Sequence, residues 1–385
     1  LTEGRPRLFG HVAALRNAVV ESSFARMVAG GAVELVHFQH LLNWGTLELP
    51  LIARRLGATV LLSLHDYFLF CPVFDMLRPD GTPCGKARAE PDDPECLDCL
   101  AHQASADENL DGLGEYLAER HAKLLEVFAA ADALVSPSRF VLERFRRAYG
   151  DAPAAKVRVV LHGLPELGRA PKPGRGTAFR LGVFANLSPR KGADRLLETI
   201  GYLGRRRDLE IRHFGGIDPR YQSALDSAGL HRHGVYRPED LGRLAAGIDL
   251  ALVPSIYEET FCLTIAELQA LGVPVLAFAV GAIPERIQDD VTGFLVAESS
   301  ARALAKRIER LIATPELLRQ VRARLREHPV KSMASNVLDY AELYARLLDA
   351  QADRQRASLT EILAALESDP IAGAPIEMST ALLGP

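Results

Sequence analysis

Residues 253–267 read VPSIYEETFCLTIAE. An apolar strand end passes into a Pro-Ser loop with two acidic residues, and the pattern predicts a helix opening near Phe261. A helix starting there presents backbone N–H groups that have no partner in its own first turn, at the positive end of its dipole. Such an end suits a diphosphate, and Glu259 and Glu267 can accept hydroxyls of a ribose or sugar beside it. The two glutamates stand eight residues apart, about two helical turns, on similar faces. On spacing alone, a dipole-matched charge plus a solvated glutamate explains the pattern equally well.

Working outward, short apolar runs recur at residues 33–39, 59–64, 133–136, 157–161, 179–184, 209–214, 249–253 and 273–278, each separated by a segment long enough for a helix. Strand–helix–strand repetition predicts an α/β protein with doubly wound parallel sheets. The stretch 164–178, LPELGRAPKPGRGTA, is rich in Pro, Gly and Arg and lacks an apolar face, so it reads as a domain boundary. The expected division is 1–165, a linker at 166–178, a ligand-binding domain at 179–330, and a helix and tail at 331–385. In such sheets ligands bind beyond the carboxyl ends of the strands.

At 385 residues the chain exceeds what one hydrophobic core usually organises, and 48% hydrophobic with 24% charged residues is ordinary globular composition. A formal charge of −4 argues against a nucleic-acid partner. No apolar run reaches the roughly 18 residues of a membrane span, and no signal peptide opens the chain, so the expected compartment is the cytoplasm.

The residues around the acidic pair carry a resemblance. Pro254-Ser255, Glu259, Phe261, Glu267 and then Leu271-Gly272-Val273-Pro274-Val275 resemble the signature of family-4 retaining glycosyltransferases, glycosyl transferases group 1, which have the GT-B fold of two facing Rossmann-like domains. Residues 182–198, GVFANLSPRKGADRLLE, look like that family's strand, loop and Lys-Gly turn. Further agreement comes from Phe214-Gly215-Gly216, residues 233–255, Gly281–Glu285 as GAIPE, and Thr292-Gly293-Phe294. The resemblance implies a nucleoside diphosphate sugar as donor and a hexosyltransferase that needs no catalytic cofactor or metal. It implies that Lys191 binds phosphate, that Glu259 holds the donor sugar and Glu267 the ribose, and that the amides around Thr260, Phe261, Cys262 and Leu263 receive the diphosphate. Lys191 would offset charge on the leaving group. Where the family usually carries an arginine, this chain has Asn186, which supplies neither charge nor a bidentate fork.

In the first half, Leu64-His65-Asp66-Tyr67 followed by Cys71-Pro72 resembles the family's acceptor-side loop, where a histidine contacts the donor sugar. His65 and Asp66 are therefore candidate catalytic residues, Asp66 orienting the imidazole or helping to take an acceptor proton. A strand-terminating role for His65 stands beside that reading. His40 is a candidate for the cleft, and His37 reads as a satisfied core histidine. A complete family member has three further strands and a glycine-rich loop before residue 33, so the first domain is expected to be incomplete. Residues upstream of Leu1, another chain, or a genuinely reduced domain would each account for this, and an upstream segment best protects the sheet edge.

Cys71, Cys84, Cys96 and Cys99 cluster in a loop without strong periodicity, which leaves two readings, a structural tetrahedral zinc site or thiols without metal. Residues 335–348, SNVLDYAELYARLL, are amphipathic and resemble the family's C-terminal crossing helix. Residues 138–147, SRFVLERFRR, can form a basic helix face for peripheral contact with an anionic inner membrane surface, or an ordinary surface helix. The expected activity is transfer of a sugar, with retention, to a hydroxyl of a glycan, lipid-linked or small-molecule acceptor in polysaccharide or glycoconjugate synthesis. The alternatives are a nucleotide-sugar epimerase and a non-catalytic nucleotide-sugar-binding or regulatory subunit.

Overall fold

The computed structural model describes residues 14–104, 110–167 and 178–352. Most of the expected linker, residues 168–177, and the tail beyond 352 lie outside the described residues. The chain divides into two compact units. One holds residues up to 63, 89–134 and those from 342 onward; the other holds 64–88 and 135–341.

The first unit contains α1 (Ala18–Gly30), β1 (Leu35–Phe38), α2 (Leu49–Arg55), β2 (Thr59–Ser63), α3 (Pro94–Gln103), α4 (Leu113–Ala130) and the start of β3 (Ala133–Ser136). β1 and β2 run parallel, with Leu35 opposite Thr59 and Phe38 opposite Leu62. Every residue of β2 is buried, which explains why TVLLS reads as a continuous apolar run rather than an alternation. α1 begins where the Asn17 side chain accepts from the Val20 N–H.

The second unit begins with the segment 64–88 and continues through the end of β3, α5 (Arg139–Tyr149), α6 (Asp151–Ala154) and β4 (Val157–Val159). Strands β1-β2-β3-β4 form a four-stranded sheet in that order. A second sheet follows, made of β5 (Phe179–Phe184), β6 (Leu209–Phe214), β7 (His231–Gly234), β8 (Leu250–Val253), β9 (Val275–Phe278) and β10 (Phe294–Val296). Its order is β10-β9-β8-β5-β6-β7, and all of its pairings are parallel. The intervening helices are α7 (Ala193–Leu203), α8 (Pro219–Ser227), α9 (Leu241–Ala245), α10 (Leu263–Ala270), α11 (Ile283–Arg286), α12 (Ala301–Ala313) and α13 (Pro315–Glu327). The boundary between the units falls inside α14 (Met333–Ala352).

Alternation along β5 sends its side chains to two cores. Leu181 and Val183 join Leu196 and Ile200 of α7 and Leu304 and Ile308 of α12, whereas Phe184 joins Ile265 and Leu268 of α10. Strand order reverses between β5 and β8, so the loops leaving these neighbours meet at a topological switch point. The Lys191 turn leaves β5 and the Glu259 loop leaves β8.

The cysteine-rich stretch departs from expectation. Residues 94–103 form α3, opened by Asp93, whose side chain accepts from the Glu95 N–H, with Pro94 at the first position. Cys96 and Leu100 are its buried face. Order there comes from a capped amphipathic helix, and among the described residues no three His, Cys, Asp or Glu side chains are placed to hold a metal ion. The zinc reading for Cys71, Cys84, Cys96 and Cys99 is therefore not supported. Among the described residues no helix is long and apolar enough to cross a membrane.

Candidate functional site

The helix α10 starts at Leu263, two residues later than the sequence pattern predicts, because Cys262 takes a left-handed conformation (φ 66°) at the N-cap. No side chain caps this end, and among the described residues the N–H groups of Phe261, Cys262 and Leu263 meet no acceptor. Leu263 is exposed while Phe261 and Cys262 are buried. Burial in the apolar cluster beneath α10 pushes the Cys262 thiol up to about 12, so its sulfur stays protonated at neutral pH.

Glu259 is buried just ahead of this helix, and its Oε1 accepts from Lys191 Nζ at 2.5 Å and from Ser255 Oγ at 2.7 Å. Neither bond uses Oε2. Lys191 also lies 5.6 Å from the centre of the Tyr257 ring. The lysine reaches the glutamate because Gly192 (φ +76°) lets the turn close onto the end of β8: a Cβ at 192 would stand 1.8 Å from the Pro254 carbonyl oxygen. On the other side, Gly281 (φ +58°) packs against the main chain of Glu258 and Glu259, and the Ala282 N–H donates to the Glu259 carbonyl at 2.8 Å.

Glu267 lies within α10, and its carboxylate has no hydrogen-bond or ion-pair partner among the described residues. Burial raises its pKa. A half-buried carboxylate of this kind is an available acceptor for hydroxyl groups. Asn186 sits beyond β5, where its Oδ1 accepts from the Gly216 N–H at 2.8 Å and ties the β5 and β6 ends together.

The segment 64–88 joins the same unit. Thr260 Oγ1 donates to the His65 carbonyl at 2.9 Å, and the Tyr67 hydroxyl donates to the Glu258 carbonyl at 2.7 Å. Asp66 Oδ1 accepts from the Phe68 N–H, closing an Asx turn. The His65 ring stacks on His162 at 5.1 Å between centroids, and His162 meets the edge of Phe261 at 4.8 Å. Burial first, then the charges of Lys331 and Arg286, lower the pKa of His162. The unit thus brings together His65, Asp66, Lys191, Glu259, Thr260, Phe261 and Cys262, while Cys96 and Cys99 belong to the other unit. His37, in that other unit, is satisfied by Ser63 and Tyr344, and His40 bonds the Leu42 carbonyl.

Sequence reasoning missed Glu258, Arg144 and His162. Arg144 of α5 is 2% exposed and forms an ion pair with Glu258. Of the basic residues read as a membrane-facing helix, Arg144 therefore points inward, and Arg146 is paired with Glu143 and Asp151.

Residues 178–314 match the family model described as glycosyl transferases group 1. A D-inositol 3-phosphate glycosyltransferase of Saccharomonospora viridis is 32% identical over 230 residues, which cover 53% of this chain and 52% of that protein. The chain spans about half the length of that curated relative. A glycosyltransferase from Rickettsia africae aligns with a TM-score of 0.63 at 17% identity, over 86% of this chain and 81% of that one. HepE from Anabaena, solved in complex with UDP, aligns with a TM-score of 0.61 at 15% identity, over 85% and 82%. The fold is thus of the GT-B type, with a smaller first sheet, and residues 178–314 are similar to the glycosyl transferases of group 1.

Proposed function

We propose that this chain is a hexosyltransferase that moves a sugar from a nucleoside diphosphate sugar to an acceptor hydroxyl with retention of anomeric configuration. The observation that carries the reading is the buried Glu259, held at Oε1 by Lys191 and Ser255 beside the uncapped start of α10. In this reading the N–H groups of Phe261, Cys262 and Leu263 receive the diphosphate, and Lys191 stabilises it as charge builds on leaving. Glu259 accepts sugar hydroxyls through Oε2, and Glu267 accepts ribose hydroxyls. The anomeric carbon–phosphate oxygen bond breaks, the acceptor oxygen bonds that carbon on the same face, and the acceptor proton passes to the departing diphosphate. His65 and Asp66 line the acceptor side. Asn186, engaged with Gly216, acts by holding the β5 and β6 ends, not as a cationic ligand. The acceptor class is a glycan, lipid-linked or small-molecule hydroxyl.

Radiolabelled UDP-, GDP-, ADP- and dTDP-sugars, incubated with and without hydroxyl acceptors, test it. Label transferred to acceptor or, slowly, to water is expected, with the anomer read by NMR. Isomerised donor without transfer would make the chain an epimerase, and binding without turnover a regulatory subunit.

A further inference from the structure

Glu259 has a neighbour whose carboxylate faces a different partner. Glu258 pairs with Arg144, a guanidinium almost wholly withdrawn from solvent. Arg144 also donates to the Lys86 carbonyl at 3.0 Å and lies over the rings of Tyr67 at 5.4 Å and Phe140 at 5.8 Å. Tyr67 in turn bonds the Glu258 carbonyl. Around this arginine α5 is fastened to the segment 64–88 at two further points, Arg88 to the Ala148 carbonyl and Tyr149 to the Leu69 carbonyl. Glu285 of α11 accepts from the Arg139 and Phe140 N–H groups and so fixes the start of α5.

One buried charge thus touches the segment bearing His65 and Asp66, the helix α5, and the residue next to Glu259. An arginine needed only to fill space would not be matched to a carboxylate on the loop ahead of α10, because burying two charges is costly when an apolar pair would fit. We propose that Arg144 is a positioning residue for the transfer reaction. Through Glu258 it fixes the main chain that carries Glu259, and through Lys86 and Tyr67 it fixes the segment carrying His65. Burial raises the Glu258 pKa, with the charges of Arg144 and Arg147 acting against it, so loss of the arginine makes protonation of Glu258 easier.

The inference rests on the transferase reading. The test compares wild type with Arg144→Met, Arg144→Lys and Glu258→Gln, each checked for folding by circular dichroism, in steady-state transfer or donor hydrolysis. In Arg144→Met, kcat falls on the order of tenfold or more, as misplacement of a reacting group does, while donor KM stays within about twofold. Arg144→Lys recovers part of that loss, and Glu258→Gln shows the same kcat-selective defect should Arg144→Met fail to fold. Folded variants with wild-type kcat, or with kcat unchanged and KM raised, overturn the positioning role and leave the transferase reading intact. A wild-type chain that turns over no nucleotide sugar overturns both.

Discussion

Lys191 Nζ and Glu259 Oε1 lie 2.5 Å apart although 68 residues of chain separate them, and the lysine is the more exposed of the pair. The glutamate's charge is thereby balanced while its second oxygen remains available. Replacing Lys191 by Met is expected to lower kcat/KM by roughly 10²–10³, the range seen when a preorganised donor is lost. It should also reduce the thermal protection that nucleoside diphosphate gives. Steady-state kinetics and thermal melts with millimolar UDP, GDP, ADP and dTDP measure both.

The two glutamates should separate kinetically. Glu267→Gln removes a carboxylate of α10 that has no partner among the described residues and is expected chiefly to raise donor KM. Glu259→Gln removes the charge that Lys191 pairs with and is expected chiefly to lower kcat. Loss of a hydrogen bond to a charged acceptor costs about 1.5–3 kcal/mol in either case, but ground-state contacts appear in KM and transition-state contacts in kcat. Wild-type constants in both variants would make the pair structural.

Cys262 tests backbone strain. At φ 66° a residue with a Cβ is strained by about 1–2 kcal/mol, which glycine escapes. Both Cys262→Ala and Cys262→Gly lose the buried sulfur, yet only the second relieves the backbone. Cys262→Gly should therefore unfold at higher temperature than Cys262→Ala; the reverse order would show that the left-handed conformation costs nothing there.

Gly192→Ala should be among the most damaging single-atom additions in the second sheet. A Cβ there would meet the Pro254 main chain at 1.8 Å, and the positive φ forbids easy relief. Destabilisation of about 3 kcal/mol or more is expected, against a central tendency near 1 for point variants. Denaturant titration gives the value, and a cost below 1 kcal/mol would refute the close approach.

His37 gives a pH dependence. Burial lowers its pKa to about 4, so the folded chain favours the neutral ring. Its contribution is fully present above the unfolded value of about 6.5 and is lost as pH falls from there toward 4, by about 2–3 kcal/mol at most. Melting temperature measured from pH 7 to pH 4 should fall less steeply in His37→Asn than in wild type.

The eight strands read from apolar runs correspond to β1–β6, β8 and β9 to within two residues or so at each end. The two omitted strands lack that signal. β7 is HRHG, an edge strand with its first three residues exposed, and β10 is three residues long. α3 carries a helix-start signature in its sequence, Asp93-Pro94-Glu95, beside cysteines whose spacing also suits a metal. Glu259, Glu267 and Lys191 are singled out by the family resemblance, because on spacing alone a dipole-matched charge, a solvated glutamate and a surface lysine explain them equally well. Arg144 is not, since an arginine within an amphipathic helix looks solvated until its tertiary partner is known.

Gly281 carries a final consequence. The three atoms nearest a Cβ built at 281 are main-chain atoms of Glu258 and Glu259, at 2.5–2.6 Å. Substitutions over the outer surface of α11 can accumulate without reaching the glutamate, whereas any residue larger than glycine at 281 must displace it. Tolerance there is therefore confined to the exposed positions Pro284 and Gln288, and a library randomised across residues 279–288 should return active sequences that keep that glycine together with small or apolar residues at 282, 283 and 287.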